Sequence, residues 1–180
     1  MGKLNGTFAM MAVLALSGAC TETPEPYEEA PLTETTPAPD RGFVEEVVTA
    51  SNKEIEVSQL AAERAASADV KAYAEMLIND HREANERLDA VTSQLQLSVA
   101  PEQEQISEAR EELIDLTGAE FDRAYIDMMV SGHEDVVSTV EDKINGSGNP
   151  QVQQWASETL PTLRQHLQRA REIQDSMGGD

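Results

Sequence analysis

The sequence predicts an all-α protein. Apolar residues recur at helical spacing through every long segment after Arg41. The apolar content is mostly Ala, Leu and Val, with aromatics at only 4% of the chain, a composition suited to close helix packing rather than a β-sandwich. No series of alternating strands with turn signals runs through it, which argues against a β-barrel.

The periodic segments follow in order. The first covers about 42–66, with Phe43, Val47, Ala50, Val57 and Ala61 on one stripe. Ser67 is placed to cap the second, which carries Val70, Ala74, Leu77, Ala84, Leu88, Val91 and Leu95. A shorter third segment has Pro101 in its first turn, Glu102 and Glu104 against the positive helix end, and Gly118 as a stop. The fourth covers about 120–144 through Phe121, Tyr125, Met129, Val136 and Val140 before a Gly146-Ser147-Gly148 break. Asn149-Pro150 caps the fifth, whose stripe is Val152, Ala156, Leu160, Leu163, Ala170 and Ile173. Pro161 inside that segment removes a backbone donor and predicts a kink or restart.

Before these helices lies a different kind of sequence. Lys3 opens a weakly basic start, and residues 8–16 (FAMMAVLAL) form a signal-sized apolar run too short to span a membrane. Ser17-Gly18-Ala19-Cys20 follows. Its last three residues resemble the end of a lipobox, although Ser17 stands where Leu is usual, and the small Ser17 and Ala19 also suit ordinary signal cleavage. Either route makes Cys20 the first residue of the mature chain. Cys20 is the only cysteine, so no internal disulfide forms, and lipidation gives it a purpose. Residues 21–40 are rich in Pro, Thr and acids and lack a basic residue, so they read as a solvated spacer.

Charge narrows the partners. The formal charge of -21 becomes -22 once the leader, with its single Lys3, is removed. Such a chain repels phosphate backbones and anionic lipid headgroups, so nucleic acid is excluded and membrane contact is expected only through an acyl anchor. Cations and basic partners remain open, no particular protein partner is indicated, and an acidic surface also serves solubility.

The connections set the topology. Short links make the first and second segments one antiparallel hairpin, and the fourth and fifth another. The connection over 96–119 reaches roughly 50 Å, whereas a 25-residue helix is about 38 Å long. It is long enough to cross the whole bundle. The expected fold is therefore a ferritin-like four-helix bundle with one long crossover containing a short extra helix; a simple up-down bundle is the alternative.

Polar residues interrupt the apolar stripes at one height. Glu54 lies on the first stripe, His81 on the second, His133 on the fourth and His166 on the fifth, so every histidine of the chain faces the core. Glu54, His81 and His133 fall close to their helix midpoints, and His166 is displaced by about 5 Å. Asp80 and Asp122 are candidate neighbours. Two readings follow. Imidazoles and a carboxylate at one level suit a transition metal such as zinc, iron, copper or nickel. The same groups can instead hydrogen-bond across the core and fix helix register. Ile78, Val130 and Leu163 lie three residues before the histidines, so the Glu-x-x-His pattern of di-iron bundles is missing and any metal site is of another type. No phosphate-binding loop, G-x-S-x-G or cysteine nucleophile with a base points to catalysis.

Several motifs carry a family resemblance. These are Glu54-Ile55-Glu56-Val57, Leu60-Ala61-Ala62-Glu63-Arg64-Ala65, Val70-Lys71-Ala72-Tyr73-Ala74 and Asn79-Asp80-His81 with Ala84-Asn85. Gly118-Ala119-Glu120-Phe121-Asp122-Arg123-Ala124-Tyr125, His133-Glu134 and the run 159–167 (TLPTLRQHL) continue the series. Over about 42–173 the chain resembles an exported bacterial family of unknown function in the ferritin-like superfamily, whose members are labelled outer-membrane or exported proteins. The resemblance implies a ferritin-like bundle and an envelope location, and carries no catalytic residues. The expected layout is a signal peptide at 1–19, an acidic linker at 20–41 lipidated at Cys20, and a helical bundle at 42–176. The expected role is a periplasm-facing, outer- or inner-membrane-anchored binding or stress-associated module without catalysis. The alternative is a metal-binding protein using Glu54, His81, His133 and His166.

Overall fold

The computed structural model of the chain describes residues 38–178. The expected signal peptide, Cys20 and the linker as far as residue 37 lie outside the described residues. Among the described residues the protein is all-helical, with no strand. Its elements are α1 (Ala38–Arg64), α2 (Ala68–Gln94), α3 (Gln103–Ile114), α4 (Gly118–Asn145) and α5 (Pro150–Met177).

Helix α1 starts four residues before the expected boundary at Gly42. An acid in its first turn favours the positive helix end, and Asp40 also gains a partner across the bundle: its carboxylate pairs with Lys143 near the end of α4. The first turn thus belongs to the packed domain rather than to the spacer. At the opposite end of α1, the carboxylate of Asp122 accepts from the N–H groups of Ala66 and Ser67 at 2.9 and 2.7 Å. Helices α1 and α4 therefore run antiparallel. Contacts of Asp69 with Arg169 and of Gln94 with Gln151 give the same relation for α2 and α5.

Local signals met different fates. Ser67 occupies the N-cap position of α2, but its side chain makes no capping hydrogen bond. The Asn149 side chain does cap α5, accepting from the Gln151 N–H at 2.8 Å. Gly118, expected to stop the third segment, instead opens α4 at φ 59°, after α3 has ended at Ile114. The restart expected at Pro161 does not occur, and α5 runs through it. Pro161 and Ser157 are both exposed, so the carbonyl deprived of its usual donor faces water and the penalty is reduced. The buried residues Ala156, Leu160, Leu163 and Ala170 hold the helix on either side.

The core divides into two apolar clusters along the bundle. One gathers Val57, Leu60, Tyr73, Leu77, Phe121, Tyr125 and Met129 with Leu113 of α3. The other gathers Phe43, Val47, Leu88, Val140, Val152, Trp155 and Leu163. Full burial of each large side chain contributes about 1.5–3 kcal/mol. Between the clusters lies a polar layer, and it positions the site.

Candidate metal centre

Each long helix contributes one group to that layer. Glu54 comes from α1, His81 from the middle of α2, His133 from α4 and His166 from α5. Their exposures of 1%, 5%, 0% and 1% place all four groups inside the core. Nitrogen atoms of the three rings lie within 4.8 Å of one another. The ring centroids are 5.3–5.7 Å apart. Glu54 Oε2 lies 2.6 Å from His81 Nε2, and Oε1 lies 3.4 Å from His133 Nδ1.

The second nitrogen of two rings is already fixed. His133 Nδ1 is 2.9 Å from the Met129 carbonyl oxygen, which can only accept, so Nδ1 carries the proton. His166 Nε2 lies 2.8 Å from Asp80 Oδ2 and donates to it. What remains is His133 Nε2 facing His166 Nδ1 at 3.2 Å. Two neutral rings have two protons for these three contacts. With the outer contacts served, two lone pairs face each other. That arrangement repels in bare rings and suits chelation of a cation. Two ligands on a tetrahedral ion with bonds of 2.0–2.1 Å are separated by about 3.3 Å, close to the spacing seen. A ring nitrogen that donates outward to a carbonyl or carboxylate is also the usual way a metal-binding histidine is oriented.

Electrostatics points the same way. Burial pushes His133 below the ordinary imidazole value, and burial together with the neighbouring rings brings His166 down to about 4 against the pull of Asp80. Both rings are thus held neutral. For Glu54, burial would raise the carboxyl, but the facing His133 and His81 outweigh it and hold it at about 2. The lowering of Glu54 depends on positive charge and hydrogen bonding from the facing rings, a charge that a shared proton or a bound cation supplies. Glu54 and His81 remain incompletely served besides. They pair with each other at 2.6 Å in a geometry poorly aligned for a hydrogen bond, and Glu54 Oε1 lies 3.4 Å from His133 Nδ1, so neither group is alone although neither is fully satisfied.

The four residues picked from the helical stripes are therefore brought together, and Asp80 joins them through His166. Asp122 does not. It lies three turns away in the first turns of α4 and binds the backbone after α1, so its role is in the turn. Cys20 lies outside the described residues. Sequence reasoning missed the Met129 carbonyl, which no side-chain pattern announces, and Gly132. A Cβ at Gly132 would stand 3.1 Å from Glu54 Oε1, so the glycine gives the carboxylate its room. It also missed Ser51 and Thr159, whose buried hydroxyls lack partners near the same layer.

Comparison with known proteins identifies the lineage. No curated protein and no solved structure matches the chain significantly. Residues 24–173 match the family described as Domain of unknown function (DUF4142), and the chain belongs to that family.

Proposed function

We propose that this protein is an exported, lipid-anchored member of the ferritin-like superfamily that binds one transition metal ion at the bundle waist. Glu54, His81, His133 and His166 hold the ion, and Asp80 orients His166. The carrying observation is the 3.2 Å approach of His133 Nε2 to His166 Nδ1, with the other nitrogen of each ring already facing the Met129 carbonyl or the Asp80 carboxylate. Three nitrogens and one oxygen without sulfur suit zinc, iron or copper. A bound ion would supply the positive charge that Glu54 requires. This is a binding centre, and no reaction is attached to it.

The antiparallel relations of α1 with α4 and of α2 with α5 support a ferritin-like bundle in which α3 rides on one long crossover. The signal-like residues 1–19, Cys20 and the acidic spacer support export and anchoring in the envelope. Acylation would give an acidic chain the membrane affinity that its charge denies it.

A second reading keeps the envelope location and makes the protein a metal-free binding or stress-associated module. One observation favours it: a single extra proton shared by His133 and His166 would turn their 3.2 Å contact into a hydrogen bond. Metal analysis decides between the two. The full chain, purified without chelator or histidine tag, is compared with its His81→Ala/His133→Ala variant. Near-stoichiometric metal that vanishes in the variant supports the centre. Absence of metal after loading with zinc, iron and copper leaves the shared proton.

A further inference from the structure

Every buried side-chain nitrogen or oxygen without a well-aligned hydrogen bond among the described residues belongs to Ser51, Glu54, His81 or Thr159. All four residues line one cavity on the side of the polar layer toward Trp155. Ser51 Oγ and Thr159 Oγ1 have no partner, whereas Glu54 Oε2 and His81 Nε2 have chiefly each other, 2.6 Å apart and poorly aligned. Buried polar groups are almost always satisfied, so several failures around one void point to something that occupies it.

The void is small and shaped for a small guest. It leaves about 20 Å³ in which the centre of a water-sized sphere can move, whereas one water needs about 10–15 Å³ of such space. The remaining wall is largely apolar, including Val47, Val140 and Leu163. Of the lining residues Ala50 on α1 and Asn85 on α2 are the ones more than marginally exposed, so the cavity comes nearest to solvent beside them. A guest entering there meets the hydroxyls of Ser51 and Thr159 and, beyond them, the metal-binding groups Glu54 and His81.

We propose that this cavity is a second-ligand chamber: a water molecule, or a small anion that replaces it, sits between the Ser51 and Thr159 hydroxyls and binds the waist metal as a fifth ligand beside the four protein donors. The proposal rests on the metal reading above. It adds which face of the ion is open, how large its external ligand is and which residues orient it. The exchange is a simple substitution in which water leaves as the anion arrives, with no change of oxidation state. The hydroxyls donate to the guest, and the apolar wall limits it to a few atoms.

The test uses the full chain loaded with cobalt(II) and azide as the probe anion. Cobalt content and its visible absorption report the metal alone, and a saturable spectral change on adding azide reports the chamber. The wild type is expected to bind cobalt near one equivalent and to respond to azide. Thr159→Val is expected to keep its cobalt and bind azide about fivefold more weakly, and Ser51→Ala/Thr159→Val about ten- to thirtyfold more weakly. Both variants remove orphaned polar atoms, so their unfolding midpoints should stay level or rise, which separates loss of azide from loss of fold. Bound cobalt with no azide response, or an equal response in all three proteins, overturns the chamber and leaves the metal site standing. A protein that takes up no cobalt overturns both.

Discussion

Two buried charged clusters, one at the end of the bundle and one at its waist, were built to different degrees of completion. At the end, Asp40 is fully buried and its carboxylate is used on both oxygens, by Lys143 and by the Asn149 N–H at 2.9 Å. Lys143 in turn donates to the Ser147 carbonyl at 3.2 Å. The loop closes over the pair with Gly148 at φ 147°, where a Cβ would collide with both side chains. At the waist, Glu54 is as deeply buried, yet its oxygens meet only the imidazoles of His81 and His133, at 2.6 and 3.4 Å, without a well-aligned hydrogen bond. The first cluster is finished within the protein and holds structure. The second is less completely bonded, and the proposed cation would complete it. Burial alone does not separate a structural charge from a binding site; completeness of its hydrogen bonds does.

The comparison can be broken from either side. The largest effect on stability is expected at the finished end. Lys143→Met leaves Asp40 buried without its cation and should cost about 3–5 kcal/mol in chemical denaturation, without changing metal stoichiometry. Metal loss in this variant would mean that the two clusters are not independent. At the waist, Asp80→Asn weakens the orientation of His166 and should reduce metal affinity about 10–100-fold while barely moving the stability of the metal-free protein. Competition with a chromophoric chelator measures it.

Acid should act on the metal-free waist with a definite sign. His166 is held at about 4 when folded against 6.5 unfolded, and His133 is shifted in the same direction. The unfolded chain therefore binds more protons in that window, and stability falls as pH drops from 6.5 toward 4. Glu54, at about 2 against 4.5, acts alike: its contribution is present above 4.5 and is lost as pH falls toward 2. Urea midpoints across this range should decline less steeply in His166→Gln than in the wild type. The smallest effect belongs to the exposed pair of Arg164 and Glu141, 2.8 Å apart. Arg164→Ala should change stability by less than about 1 kcal/mol and metal content not at all, as a control distant in kind from both clusters.

The waist was legible because histidine among Leu, Val and Ala at three-and-four spacing is conspicuous, and antiparallel hairpins convert position along each helix into a common height. The helical class was legible for the same reason. Asp40 was not, because an acid amid prolines looks like spacer until Lys143, 103 residues later, arrives beside it. Asp122 shared a stripe with the site but found nearer partners in Ala66 and Ser67, a choice made by chain packing rather than by spacing. Pro161 started no new helix: the helix rule takes no account of exposure. Ser51 and Thr159 gave no signal: small hydroxyl residues are ordinary in helices, and only the three-dimensional structure shows that theirs go unanswered.

The most direct test of the central claim is anomalous diffraction from crystals of the full chain, collected above and below the absorption edge of whichever metal copurifies or is loaded. The account predicts one strong peak at the waist, within about 2.0–2.2 Å of Glu54 and of one nitrogen each from His81, His133 and His166. No peak there, with His133 and His166 joined by a hydrogen bond in metal-loaded crystals, would contradict it and leave the waist as a protonated polar core.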